Sequence, residues 1–212
     1  MKTLFFGIVF ILIVGIGGFL YRNALELPTR PIACPLDARV CPDGTSVART
    51  GTACTFAECL SPNVSLPDIG VAFALPSGFV PTTLPDAASV VAYETPAAGS
   101  VASIVIRRYA IEASSTALAT IQKTAIRSTS GEPVGATSFS STLLGTHRFT
   151  VVSLGRFEGV VETAYYLART TDVVRFDAID RGVTNWTDPN LDTTTLPAAR
   201  ALGELLTTLQ GQ

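Results

Sequence analysis

The sequence predicts an α+β protein: an antiparallel sheet of about six or seven strands flanked by two helices, an α/β/α sandwich, preceded by a membrane helix and a small disulfide-stapled hairpin. Three observations predict it. An apolar run of 17 residues, Leu4 to Leu20, lies near the start of the chain. All four cysteines fall in one window, from Cys34 to Cys59. Beyond them, segments with two-residue alternation are interrupted by two with helical spacing, in the order three strands, helix, four strands, helix.

The apolar run follows Lys2 and is closed by Tyr21-Arg22, the layout of a signal sequence or signal anchor. At 1.5 Å per residue a helix of that length spans about 26 Å, enough to cross a bilayer's hydrocarbon core. No small-x-small cleavage site follows in Arg22-Asn23-Ala24-Leu25-Glu26-Leu27, and no cysteine stands there to carry a lipid. Residues 1–22 therefore read as an uncleaved transmembrane signal anchor with its N-terminus in the cytoplasm and the rest of the chain outside. A cleaved signal, giving a secreted protein, is the alternative. The run contributes to a mean hydropathy of +0.39, and the remainder has an ordinary globular share of apolar residues. With 15 basic and 17 acidic residues the chain lacks the basic surplus that nucleic-acid binding needs.

Residues 31–60 form the cysteine module. An even number of clustered cysteines outside the cytoplasm suggests two disulfides stapling a piece too small for a core. Zinc is disfavoured, because only Cys54 and Cys59 approach ligand spacing and no histidine is near. Cys41-Pro42-Asp43-Gly44 reads as a turn, Thr45 to Arg49 as a strand, Thr50 to Ala53 as a second turn and Cys54 to Cys59 as the return strand. With the hairpin centred near Gly51, Cys59 falls opposite position 43, close to Cys41. Of the three connectivities this favours Cys41 with Cys59 and Cys34 with Cys54. Val40-Cys41-Pro42-Asp43-Gly44 and the spacing to Cys54 resemble the Kazal-type inhibitor core, whose corresponding pairing agrees with this one.

A Pro- and Ser-containing linker, 61–67, leads to the domain at 68–212. Val71 to Leu75 begins a β segment ended by Pro76-Ser77-Gly78. Ser89 to Tyr93 and Val101 to Tyr109 follow as strands, the latter rich in β-branched residues. Ser114-Ser115 offers a cap for an amphipathic helix over about 115–127, with Leu118, Ile121, Ala125 and Ile126 at helical spacing. Ala136 to Leu144, His147 to Leu154, Val160 to Arg169 and Val173 to Asp180 are strands joined by breaks short enough for hairpins. In Val160 to Arg169, Val161, Tyr165 and Leu167 make a core face and Glu162 points elsewhere. The closing helix runs from Pro197 to about Leu209, with Leu202, Leu205, Leu206 and Leu209 on one stripe.

Over about 68–210 the chain resembles the PsbP-like family of α/β/α sandwich domains. Ala72-Phe73-Ala74-Leu75-Pro76-Ser77-Gly78-Phe79 is similar to the family's opening strand and LPxGW turn, and Ile104-Val105-Ile106-Arg107-Arg108-Tyr109 to its third strand. Tyr165-Tyr166-Leu167-Ala168 looks like its long hairpin strand, and Leu205-Leu206-Thr207-Thr208-Leu209 like its closing helix. The resemblance implies a binding or assembly module rather than an enzyme.

Catalytic motifs are absent from the sequence: there is no G-x-S-x-G, Walker A, Rossmann glycine pattern or H-E-x-x-H. The single histidine, His147, is expected to serve a strand edge. Asp172, Asp177, Asp180, Asp188 and Asp192 lack a calcium-loop register and read as solvated loop carboxylates, with Asp177 and Asp180 facing opposite sides of a strand. Arg107 and Arg108 likewise point to opposite faces. Trp186, with Asn185 and Asp188 beside it, is the candidate binding surface, since an exposed tryptophan among polar residues suits an interface hot spot. No metal and no cofactor is expected. The sequence is thus expected to encode a membrane-anchored extracytoplasmic binding or assembly module whose partner is another envelope protein or a small ligand. An inhibitor acting through the cysteine module and a hydrolase of unrecognised type using His147 are the alternatives.

Overall fold

Short segments precede the main sheet. The computed structural model describes residues 14–18, 21, 34–41, 46–57, 61–96, 101–128 and 130–211. Residues 14–18 are helical. No helix among the described residues is long and apolar enough to cross a membrane, and most of the expected anchor, 1–22, lies outside them. The chain divides into two compact units, one holding residues up to 39 together with 47–58, the other 40–46 and 59–212.

The cysteine module contains β1 (Ala38–Val40), β2 (Ser46–Thr50) and β3 (Thr55–Phe56), in the sheet order β1-β2-β3. The β2–β3 hairpin matches the expected one, but Thr50 belongs to the strand and the turn is Gly51 to Cys54, with Gly51 and Cys54 at φ +75° and +49°. β1 was not expected. Cys34 and Cys54 form the expected disulfide. Cys41 is also disulfide-bonded; Cys59, its expected partner, lies outside the described residues, as do 42–45, the proposed inhibitor loop. Arg49 grips Asp37 at 2.8 Å and lies 4.0 Å over the Phe56 ring.

In the larger unit, residues 61–67 include a strand where a linker was expected. β4 (Val64–Leu66) pairs with β5 (Val71–Phe73), and Ala72 of β5 bridges Gln210 near the C-terminus through two main-chain hydrogen bonds. The expected strand at 71–75 therefore joins a separate ribbon and not the main sheet. Its place in that sheet is taken by β6 (Val80–Pro81), a two-residue edge. β7 (Ser89–Glu94) and β8 (Ala102–Ala110) follow, then, after helix α1 (Ala117–Thr124), β9 (Ser140–Leu144), β10 (His147–Phe157), β11 (Val160–Ala168) and β12 (Asp172–Asp180), and last helix α2 (Pro197–Thr207). The sheet order is β6-β7-β8-β12-β11-β10-β9, with every neighbouring pair antiparallel.

Helix α1 is shorter than the periodicity suggested. Its cap is Thr116, whose hydroxyl accepts the Ala119 N–H, and it stops before Ala125, where the chain turns to let Ile126 bridge Pro133. In the expected strand 136–144 the first residues form a 3-10 turn, Ala136–Ser138. Helix α2 starts with Pro197 at its first turn, a position where no N–H is needed. Its cap comes from β12: Asp180 Oδ1 accepts the Ala198 N–H at 2.7 Å.

Both faces of the sheet are covered. Leu202, Leu205, Leu206 and Leu209 pack with Ile104, Ile106, Phe149, Tyr165, Leu167, Val174 and Phe176 in one core, each buried leucine contributing about 2 kcal/mol. The alternate residues Ala164, Tyr166 and Val173 pack with Ile121, Ala125, Val134, Val152 and Leu154 in another. Two cores on opposite faces of one antiparallel sheet make this unit an α+β sandwich.

Candidate functional site

Because both faces are covered, polar residues on the strands are drawn inside. Asp172, Asp177 and Asp180 are 2%, 0% and 3% exposed, which overturns their expectation as solvated loop carboxylates. Only Asp188 and Asp192 of that group lie in exposed turns. Asp177 and Asp180 do face opposite sides, one joining Arg107 and Arg175 and the other capping α2. Glu162, on the face opposite Val161 and Tyr165, is buried at 3.3 Å from Arg175. Arg107 and Arg108 diverge as expected: Arg107 reaches Asp86 at 2.8 Å and Asp177, while Arg108 reaches Asp172 at 2.6 Å.

These pairings set the charge states. Burial alone would raise the Asp172 carboxyl, but hydrogen bonds from Arg169 and Arg108 outweigh it and hold Asp172 below the usual carboxylate range. Burial, reinforced by the nearby Asp177 charge, pushes Glu162 above it. Each carboxylate is thus committed to a neighbour, and among the described residues no group of three or more His, Cys, Asp or Glu is placed to hold a metal ion.

His147 begins β10, half-buried, at the β9–β10 turn. Gly145 there has φ +57°, as the first position of a two-residue hairpin loop requires. The ring is held at both nitrogens, Nε2 at 3.0 Å from the Gly211 carbonyl oxygen and Nδ1 at 3.3 Å from the Thr146 hydroxyl. The contact to Gly211 is the structural role its place in the sequence suggested.

At the opposite end of β10 the chain turns through Glu158 and Gly159, with φ +47° and +77°, into β11. A register shift between Ser153 and Gly155 bends β10 before this tip. Phe157, 49% exposed, stands here with the Trp186 ring 6.3 Å away at 64°, an edge-to-face pair. The Trp186 loop is fastened to the same hairpin. Arg156 donates to the carbonyl oxygens of Asp188 and Leu191 at 3.1 and 3.2 Å, and Val183 N–H donates to Gly159 O at 2.9 Å. Within the loop, Asp188 N–H donates to Asn185 O, and Asp188 Oδ1 accepts the Asn190 N–H.

The structure therefore brings Trp186, Asn185 and Asp188 together in one tight loop, Trp186 half-buried and the other two exposed. It adds Phe157 and Arg156, which the sequence reading did not include. An aromatic residue directly before the Glu158-Gly159 turn was the available signal for the first. For Arg156, whose acceptors are main-chain oxygens more than 30 residues away, there was none.

No family model matches the chain, and no curated protein matches it. Among solved structures, a crystal structure from Bacteroides thetaiotaomicron VPI-5482 is similar with a TM-score of 0.38 and 14% identity. It covers 73% of this chain, which spans about half, 47%, of that one. The solution structure of cyanobacterial PsbP (CyanoP) from Synechocystis sp. PCC 6803 is similar with a TM-score of 0.45 and 14% identity, covering 70% of this chain and 91% of that one.

Proposed function

We propose that this protein is a non-enzymatic, extracytoplasmic binding or assembly module. Its N-terminal apolar segment anchors it in the cell membrane, and the Phe157–Trp186 tip meets a partner protein of the envelope. The observation that carries the proposal is the aromatic pair itself. Large rings with few rotatable bonds, one half exposed, Phe157 at the end of β10 and Trp186 on the loop fastened to that hairpin, lose little entropy on burial, which is the profile of an interface anchor. The exposed Asn185 and Asp188 supply a polar rim. The Cys34–Cys54 disulfide supports an oxidising compartment.

The test has two parts. Protease added to intact cells digests the portion after residue 34 if it lies outside; complete protection contradicts the topology. In pull-downs from membrane extracts the full chain retains a partner that the F157A/W186A double variant loses, while both have the same thermal melting profile. Equal recovery by the two proteins removes the tip from the interface.

A further inference from the structure

Helix α2 covers one face of the sheet and leaves a strip of β9, β10 and β11 open beside its first two turns. Two cavities occupy that strip, of about 270 and 450 Å³, and they share Ser140, Val151, Tyr165, Thr194 and Ala199, so that they form one groove. The larger alone is in the size range of small-ligand sites. The floor of the groove is a row across the sheet, because Val151 stands opposite Ser140 on one side and Tyr165 on the other, with Ser153 and Thr163 paired in the next row.

The two ends differ. One is lined by Leu144 and Gly203, both half-buried, and a Cβ at Gly203 would meet nothing within 4 Å. The other is lined by Ser153, Thr163 and Thr193, whose hydroxyls have no hydrogen-bond partner among the described residues. Tyr165 lies between them. It is 8% exposed, its hydroxyl has no hydrogen-bond partner among the described residues, and its oxygen is not sealed, unlike that of Tyr166. Burial raises the phenol above its ordinary value, so it stays a neutral hydroxyl that can donate and accept. A polar group held this deep without a partner, and open to a groove, is a position for a ligand atom.

Tyr165 is the only ionisable side chain lining the hydroxyl end, and Arg200 lines the other, exposed at the rim. Asp192, beside the lining residues Thr193 and Thr194, accepts the Thr194 N–H and hydroxyl through Oδ1 at 3.0 and 2.7 Å. Hydroxyls without a counter-charge favour an uncharged partner, because an ion stripped of water there would have nothing to pair with. Each hydroxyl both donates and accepts, which matches the hydroxyls of a saccharide.

We infer that this groove binds a neutral saccharide bearing an apolar substituent, its hydroxyls on Tyr165, Thr163 and Ser153 and the substituent toward Leu144 and Gly203. The groove shares no lining residue with the Phe157–Trp186 tip, and the inference does not depend on the tip.

The test uses the full chain in phosphatidylcholine nanodiscs, with empty nanodiscs as the blank, and butyl glucoside, butyl galactoside and butyl mannoside as probes, read by calorimetry. At least one is expected to bind saturably, about tenfold more tightly than its free hexose through burial of two or three methylenes. It should also bind more tightly than the corresponding butyl uronide, whose carboxylate finds no counter-charge at the hydroxyl end. Tyr165→Phe keeps the ring and breaks no bond within the fold, so it should weaken binding about threefold to tenfold, the loss of one hydrogen bond, with an unchanged melting temperature of the unliganded protein. Gly203→Leu, which fills the apolar end, should reduce the butyl hexoside to the affinity of the free hexose. A further arm carries the same head group on diacylglycerol in the nanodisc: loss of probe binding identifies a membrane glycolipid as the source, and undiminished binding a soluble glycoside. Absence of saturable binding by all three probes, equal affinity for the hexoside and its uronide, or wild-type affinity in both variants overturns the assignment.

Discussion

Arg175 Nε donates to Asp177 Oδ1 at 2.5 Å although the two residues stand on one strand, and Asp177 also pairs with Arg107 across the neighbouring strand. Residues two apart on a strand share a face, so this carboxylate sits between two cations on the covered side of the sheet.

Removing Asp177 leaves both cations buried and without their shared counter-charge. Asp177→Asn is therefore expected to cost about 3–5 kcal/mol, measured by urea unfolding. Asp188→Asn, in an exposed turn, should change stability by less than about 1 kcal/mol in the same assay.

Glu162 behaves oppositely to Asp172 with pH. Its folded carboxyl is raised, first by burial and then by the Asp177 charge, so the folded chain holds a proton that the unfolded chain has released. The associated stability is fully present below the ordinary glutamate value of about 4.3 and is lost as pH rises through the elevated folded value. Glu162→Gln removes that loss. The melting temperature of the variant, relative to wild type, should climb as pH is raised from about 4 to 8; a difference constant across pH contradicts this.

Tyr166 is fully buried, its hydroxyl has no hydrogen-bond partner among the described residues, and burial pushes its phenol up to about 12. The nearby Thr124 hydroxyl donates to main-chain oxygens of Thr120 and Ile121. Tyr166→Phe keeps the ring and deletes the stranded oxygen, so the variant should match wild type or gain up to about 1 kcal/mol in chemical denaturation.

Gly145 permits both the φ +57° of the β9–β10 turn and the approach of helix α2, because a Cβ there would lie 2.6 Å from the Thr207 carbonyl oxygen. Gly145→Ala should destabilise by about 2 kcal/mol, whereas Gly203→Ala on α2, whose added Cβ meets nothing within 4 Å, should be neutral or slightly stabilising.

Long elements were legible because their patterns repeat. β8, β11 and β12 alternate over nine residues each, and the α2 leucines recur at helical spacing. β4 and β6 were not, because two or three residues carry no period and both pairings depend on partners brought close by the rest of the chain. The burial of Asp172, Asp177 and Glu162 was missed because alternation was read as one core face and one wet face. A sheet covered on both sides puts the second set inside, where charges persist only in pairs. Trp186 was legible by its rarity, being the only tryptophan. Its ring partner Phe157 lies 29 positions earlier and meets it only through the fold.

The central claim, that the Phe157–Trp186 tip is the contact surface, is tested most directly by site-specific photocrosslinking in intact membranes. A photoreactive phenylalanine derivative is placed in turn at positions 157, 186 and, as an exposed control on the edge strand β9, 143. The expected result is one adduct of the same mass from 157 and 186 and none from 143. No adduct from either tip position, or an equal one from 143, would contradict the claim.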